Sequence, residues 1–89
     1  MAGSALITGA AQGIGRAIAF RLAKDGFNIA VNDIEINSSK LNKVKQQVEE
    51  IGRKSVAIIA DVSQEKHVQT MMNDALQKLG SLNVNTVCF

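Results

Sequence analysis

The sequence predicts an α/β fold built on a mostly parallel sheet. Short apolar runs recur along the 89 residues, at Ala5-Leu6-Ile7, Ile29-Ala30-Val31 and Val56-Ala57-Ile58-Ile59-Ala60. These runs are continuous rather than alternating, as strands buried on both faces require. Between them lie longer stretches with apolar residues at helical spacing, and each stretch closes on a glycine.

The first strand hands over at Thr8-Gly9. A first helix follows, its stripe read from Ile14, Ala17, Ile18 and Leu22 with Arg21 as the polar exception, and Gly26 stands where a C′ glycine ends it. The second strand ends at Asn32-Asp33. Leu41, Val44, Val48 and Ile51 mark the second helix, closed by Gly52. The third strand ends at Asp61, beside the first strand on this reading. Ser63 is the expected N-cap of a third helix carrying Val68, Met71, Met72, Ala75, Leu76 and Leu79, closed by Gly80. Leu82-Asn83-Val84 opens a fourth strand. With right-handed crossovers, this order gives three βα units plus the start of a fourth strand. That is a partial Rossmann fold, the half of a doubly wound sheet that binds a mononucleotide. The first two helices are expected on one face of the sheet and the third on the other.

Composition narrows the function. A chain of this length makes one domain, expected here to span residues 1–89. Ten basic against eight acidic residues, a net charge of +2, leave no electrostatic footprint for nucleic acid. No apolar run approaches the roughly 20 residues of a membrane span. One cysteine and one histidine cannot build the usual zinc site or a disulfide framework. The first residues, MAGSALITGA, lack the basic stretch of a secretory signal. The expected location is the cytoplasm.

The chemistry concentrates in Thr8-Gly9-Ala10-Ala11-Gln12-Gly13-Ile14-Gly15, between the first strand and the first helix. Gly9 allows the tight turn out of the strand. Gly13 lets backbone approach a pyrophosphate, and Gly15 lets the helix pack close to the strand. The helix N-terminus offers free N–H groups and the positive end of its dipole to phosphate. Without further context such a segment is also an ordinary glycine-rich turn. The context here is Asp33, 18 positions beyond Gly15 at the end of the second strand. An acid there accepts hydrogen bonds from the ribose hydroxyls of a dinucleotide and repels a 2′-phosphate, favouring NAD over NADP. Gln12 agrees, because no cation precedes Gly13 to hold an extra phosphate. Arg16, on the first helical turn, is expected to face solvent. Asp61 is placed to meet the adenine amino group, with Val62 as an apolar wall. A solvated turn residue at Asp33 and a plain strand-to-helix turn at Asp61 are the plainer alternatives.

These residues resemble the short-chain dehydrogenase/reductase family. Thr8 to Gly15 match every fixed position of its T-G-x-x-x-G-I-G cofactor motif, and Asp61-Val62 match the Asp-Val after its third strand. The resemblance runs from about Leu6 to Val84. Gln12 to Ala19, followed by Val31-Asn32-Asp33-Ile34, is most similar to the acetoin (diacetyl) reductase and butanediol dehydrogenase branch. The resemblance implies hydride transfer between a nicotinamide and an alcohol or carbonyl, carried out by a serine, a tyrosine and a lysine four positions after the tyrosine. The 89 residues contain no tyrosine, so no residue here receives a catalytic role. Asn83 stands where the family has Asp, and Asn85-Thr86-Val87-Cys88-Phe89 stand where it has an apolar strand and an Asn-Asn-Ala-Gly turn.

The expectation is therefore the N-terminal, cofactor-binding part of an NAD-dependent short-chain oxidoreductase. It is expected to be truncated, marginally stable alone and inactive without a general base, with a small alcohol or carbonyl as substrate only once completed. The alternatives are a non-catalytic NAD-binding or partner-docking module and a non-functional truncated product. His67 is expected on the solvated side of the third helix, Cys88 as a spare thiol, and the charges around Lys43, Lys45, Glu49 and Glu50 on a solvated helix face.

Overall fold

Three βα units and a fourth strand make up the chain in a computed structural model that describes residues 3–80 and 84–86. The strands are β1 (Ser4–Thr8), β2 (Asn28–Asp33), β3 (Ser55–Ile59) and β4 (Val84–Thr86). The helices are α1 (Gly13–Lys24), α2 (Ser38–Ile51) and α3 (Glu65–Leu79), with a 3-10 turn at Glu35–Asn37 leading into α2. All pairings are parallel and the sheet order is β3-β2-β1-β4, a partial Rossmann-type α/β fold.

This order corrects one expectation. β3 pairs with β2, from Ile29↔Ser55 to Asp33↔Ile59, and not with β1. The first two crossovers step the chain in one direction across the sheet. Only the third, through α3, returns it to the other side of β1, where Ala5 pairs with Val84. The same pairing continues through Asn85 and Thr86. Strand structure thus extends into the first two residues expected to break the pattern. Leu82, Asn83, Val87, Cys88 and Phe89 lie outside the described residues.

Alternate residues of the strands feed two cores, one per face. Ala5, Ile7, Ile29 and Val31 pack with Ala19 and Ala23 of α1 and with Leu41, Val44 and Val48 of α2. Leu6, Ala30 and Ile58 pack with Met71 and Ala75 of α3. The expected division of helices between faces is what the structure shows. Full burial of each large aliphatic side chain contributes about 1.5–3 kcal/mol, and Ile7, Ile29, Val31, Leu41, Val44 and Val48 are all fully buried.

The stripe of α1 differs from its expectation. Its buried line is Gly15, Ala19 and Ala23, with Ile18 and Leu22 half-buried beside it, while Ile14, Ala17 and Arg21 are exposed. The helix approaches the turn leaving β1 closely at Gly15, and small side chains line the rest of its buried face. A reading weighted towards large apolar residues therefore rotates the face. Ser63 does not cap α3. The N-cap is Gln64, with no side-chain cap bond, and the Ser63 hydroxyl donates instead to Asp61 Oδ1 at 2.7 Å.

Candidate functional site

A cleft of about 370 Å³ opens where β1, β2 and β3 end. Seven of the eight residues singled out from the sequence line it: Gly9, Gln12, Gly13, Ile14, Gly15, Asp33 and Val62. Asp61 does not. Asn32, Ile34 and Asn37 line it as well and were not anticipated.

The glycine segment is shaped by two requirements. Gly9 and Gly13 have φ of +65° and +62°, the left-handed region where other residues are strained. At Gly13 an added Cβ would meet no protein atom within 4 Å, so a side chain there would project into open space beside the cleft. Gly15 is fixed by contact instead. An added Cβ would lie 2.8 Å from the carbonyl carbon of Gly9, 3.1 Å from Ala10 Cα and closer still to the Gly9 carbonyl oxygen. The close approach is thus between α1 and the turn leaving β1 rather than the strand itself. α1 opens with no side-chain cap and no acid in its first turn. Its first N–H groups and positive dipole end are left to an anion from outside the helix.

Asp33 closes the opposite side. Its Oδ2 accepts the Ala11 N–H at 3.1 Å, and its Oδ1 accepts the Ile34 N–H at 2.8 Å and Asn37 Nδ2 at 3.0 Å. A carboxylate offers about four lone-pair sites, so three protein donors leave about one for a ligand hydroxyl. The carboxylate also pins the glycine turn to the loop after β2.

The loop after β3 brings Val62 to the cleft and holds Asp61 outside it. Asp61 Oδ1 accepts both the N–H of Ser63 at 2.9 Å and its hydroxyl. The Ser63 hydroxyl first, and its N–H second, hold the Asp61 carboxyl below its usual range. His67, exposed on α3, accepts the Asp61 N–H on Nδ1 at 3.4 Å.

On the far side of Gln12 the structure supplies a cation that the sequence reading did not count. Lys40, from α2, donates from Nζ to Gln12 Oε1 at 2.9 Å. It joins Arg16 and Lys43 around a shallow groove of about 340 Å³ that shares Gln12 and Gly13 with the main cleft. Arg16 is exposed as expected, its guanidinium carbon 4.7 Å from the centre of the Phe20 ring. Among the described residues no cluster of His, Cys, Asp and Glu could hold a metal ion, and no helix is long and apolar enough to cross a membrane.

The family model for short chain dehydrogenase matches residues 4–86. The chain belongs to the short-chain dehydrogenase/reductase family. Within that family it is 51% identical over 80 residues to a short-chain dehydrogenase/reductase of Armillaria gallica, covering 90% of this chain and 31% of the relative. It is 42% identical over 84 residues to a diacetyl reductase [(S)-acetoin forming] of Staphylococcus epidermidis, covering 94% of this chain and 32% of the relative. The chain thus spans about a third of the length of the curated relatives it matches. Two solved structures superpose closely. One is an NAD+-bound xylitol dehydrogenase, with TM-score 0.87, 30% identity, 93% of this chain and 31% of that one. The other is a blue fluorescent protein from a metagenomic library in complex with NADPH, with TM-score 0.90, 33% identity, 93% of this chain and 34% of that one.

Proposed function

We propose that the chain is the cofactor-binding part of a short-chain oxidoreductase that uses NAD to interconvert an alcohol and a carbonyl. A nicotinamide dinucleotide is the ligand class carried by both structural neighbours. The observation that carries the narrower choice of NAD is the Asp33 carboxylate, on the cleft wall facing the glycine turn.

The residues fit such a ligand in order along the cleft. Gly13 and the uncapped start of α1 receive the pyrophosphate, and Gly9 makes the turn that presents them. Gly15 keeps α1 close enough for its N–H groups to reach. Ile14, 72% exposed, gives apolar contact towards the nicotinamide side. Gln12 flanks the adenosine ribose, and Asp33 accepts one of its hydroxyls. Val62 forms the wall for adenine, and Asp61, outside the cleft in this structure, would have to turn towards it to meet the exocyclic amine. Bound NAD would supply the hydride acceptor, and these residues hold and orient it.

A fixed negative charge near the ribose opposes a 2′-phosphate. Two like unit charges about 4 Å apart repel by about 1 kcal/mol in water and about 4 kcal/mol at an effective dielectric near 20. That predicts NADP binding weaker by roughly fivefold or more. Similarity to the diacetyl reductase supports a small acetoin- or diacetyl-type substrate for the whole enzyme. The single cysteine supports a reducing compartment, the cytoplasm.

Because these 89 residues contain no tyrosine, the reading is tested on this chain by binding rather than turnover. Calorimetric titration should give saturable one-to-one binding of NAD and markedly weaker NADP. Equal affinities would overturn the choice of NAD, and absence of binding by either dinucleotide would overturn the proposal.

A further inference from the structure

Asn32 is 1% exposed and lies in β2 on the face that α3 covers, alternating with Val31 on the other face. Its Nδ2 donates to the Ile58 carbonyl at 2.9 Å and to the Ala60 carbonyl at 3.3 Å. Both amide protons are therefore committed to the end of β3 and the residue just past it. One residue further along β2, the Asp33 carbonyl accepts the Ala60 N–H at 3.1 Å. Ala60 lies just past the end of β3, and the next two residues are Asp61 and Val62. Asn32 and Val62 line the same cleft.

A buried polar side chain costs free energy unless its partners are in place, and an apolar residue would fill this position with less at stake. The amide does something that packing cannot. It spans one carbonyl inside β3 and one just past its end, and so fixes the path of the chain as it leaves the sheet. We infer that Asn32 is a positioning residue for the purine end of the cleft, setting where Val62 and Asp61 stand and so how well the site reads adenine. This rests on the dinucleotide reading above and adds to it a residue that acts through its neighbours.

The test compares two ligands on one protein. NAD and its deaminated analogue, with hypoxanthine in place of adenine, are titrated into the 89-residue chain and into Asn32→Ser, whose hydroxyl is too short to reach both carbonyls. A ratio of two affinities measured on one sample does not depend on the fraction folded, so a purely structural role leaves it unchanged. The wild-type chain should favour NAD. In Asn32→Ser that preference should fall by about fivefold, the worth of one net hydrogen bond. An unchanged ratio, or a wild-type chain that binds both ligands equally, overturns the inference. A wild-type chain that binds neither defeats the functional proposal itself.

If Asn32→Ser does not fold, the wild-type chain answers by NMR. The Asn32 side-chain amide protons should exchange slowly and should shift on addition of AMP but not of inorganic pyrophosphate. Fast exchange, or equal shifts with both, overturns the inference.

Discussion

Asp33 Oδ2 accepts the backbone N–H of Ala11 at 3.1 Å, across 22 residues of sequence. The acid at the end of β2 therefore shapes the glycine turn as well as lining the cleft. A ligand that approaches this carboxylate meets a group already held by three protein donors, so its position is set before binding.

That double engagement predicts a double effect on substitution. Asp33→Ala should erase discrimination between NAD and NADP, seen as converging affinities in calorimetry. It should also lower stability by about 1–3 kcal/mol, because the Ala11 N–H loses a charged acceptor. Asp33→Asn keeps an acceptor oxygen, so it should lose the discrimination while retaining more of the stability. Chemical denaturation of the two variants separates the effects.

Lys40, bonded to Gln12 at 2.9 Å, stands on the opposite side of that residue from the main cleft. Through Gln12, which lines the cleft, it brings a positive charge that would soften the exclusion of a 2′-phosphate. Lys40→Ala should therefore weaken NADP binding several-fold while changing NAD binding little. Because the attraction is electrostatic, raising the salt concentration should shrink the difference between wild type and variant. Titrations of both dinucleotides at low and high salt check this.

The glycines should respond differently to the same added methyl. In Gly15→Ala the new Cβ meets the backbone of Gly9 and Ala10, which cannot yield without moving α1. Stability should fall by about 1–3 kcal/mol or more. In Gly13→Ala the Cβ meets no protein atom, and the cost is that of a left-handed alanine, about 1–2 kcal/mol. Its larger effect should be on pyrophosphate affinity. Melting curves and NAD titrations of both variants should rank them in opposite orders.

Asp61 predicts a pH signature. Folding lowers its carboxyl pKa, through the Ser63 hydroxyl first. The turn's contribution is therefore present above the unfolded value, near 3.9, and is lost as pH falls through the lower folded value. A carbon-detected NMR titration should place the Asp61 midpoint below that of a free aspartate. Ser63→Ala should move the midpoint back up. The melting temperatures of wild type and Ser63→Ala should differ at pH 6 and converge in strong acid.

Much of this was legible in the sequence, for identifiable reasons. α2 and α3 bury large side chains, so Leu41, Val44, Val48 and Met71 advertise their faces. α1 buries Gly15, Ala19 and Ala23, and small residues carry little periodic signal. The cleft's glycines and Asp33 were visible because turn geometry and charge act at fixed spacing along the single β1-α1-β2 stretch. Lys40 and Asn32 were not, since each works through a partner 26 to 28 residues away. Such partners become neighbours only once the crossover connections are fixed. Ser63 was misassigned because a serine just before a helix can cap it or complete the turn of a preceding aspartate; here the helix opens one residue later, from the Gln64 cap position, and Ser63 stays bonded to Asp61. The polar look of Asn85 and Thr86 hid a strand whose backbone pairs with β1 all the same.

The place of β1 in the sheet also has a kinetic consequence. Its pairing with β2 closes a single crossover, whereas its pairing with β4 joins Ala5 to Val84 across nearly the whole described chain. Closing a longer loop costs more chain entropy and slows the search. Pairing of β1, β2 and β3 should therefore lead, with β4 docking afterwards. All the cleft-lining residues belong to the part that pairs first. In pulse-labelled hydrogen exchange during refolding, amides in the β1–β2 ladder should gain protection before those of β4. A dinucleotide present from the start should hasten the earlier phase and leave the later one unchanged.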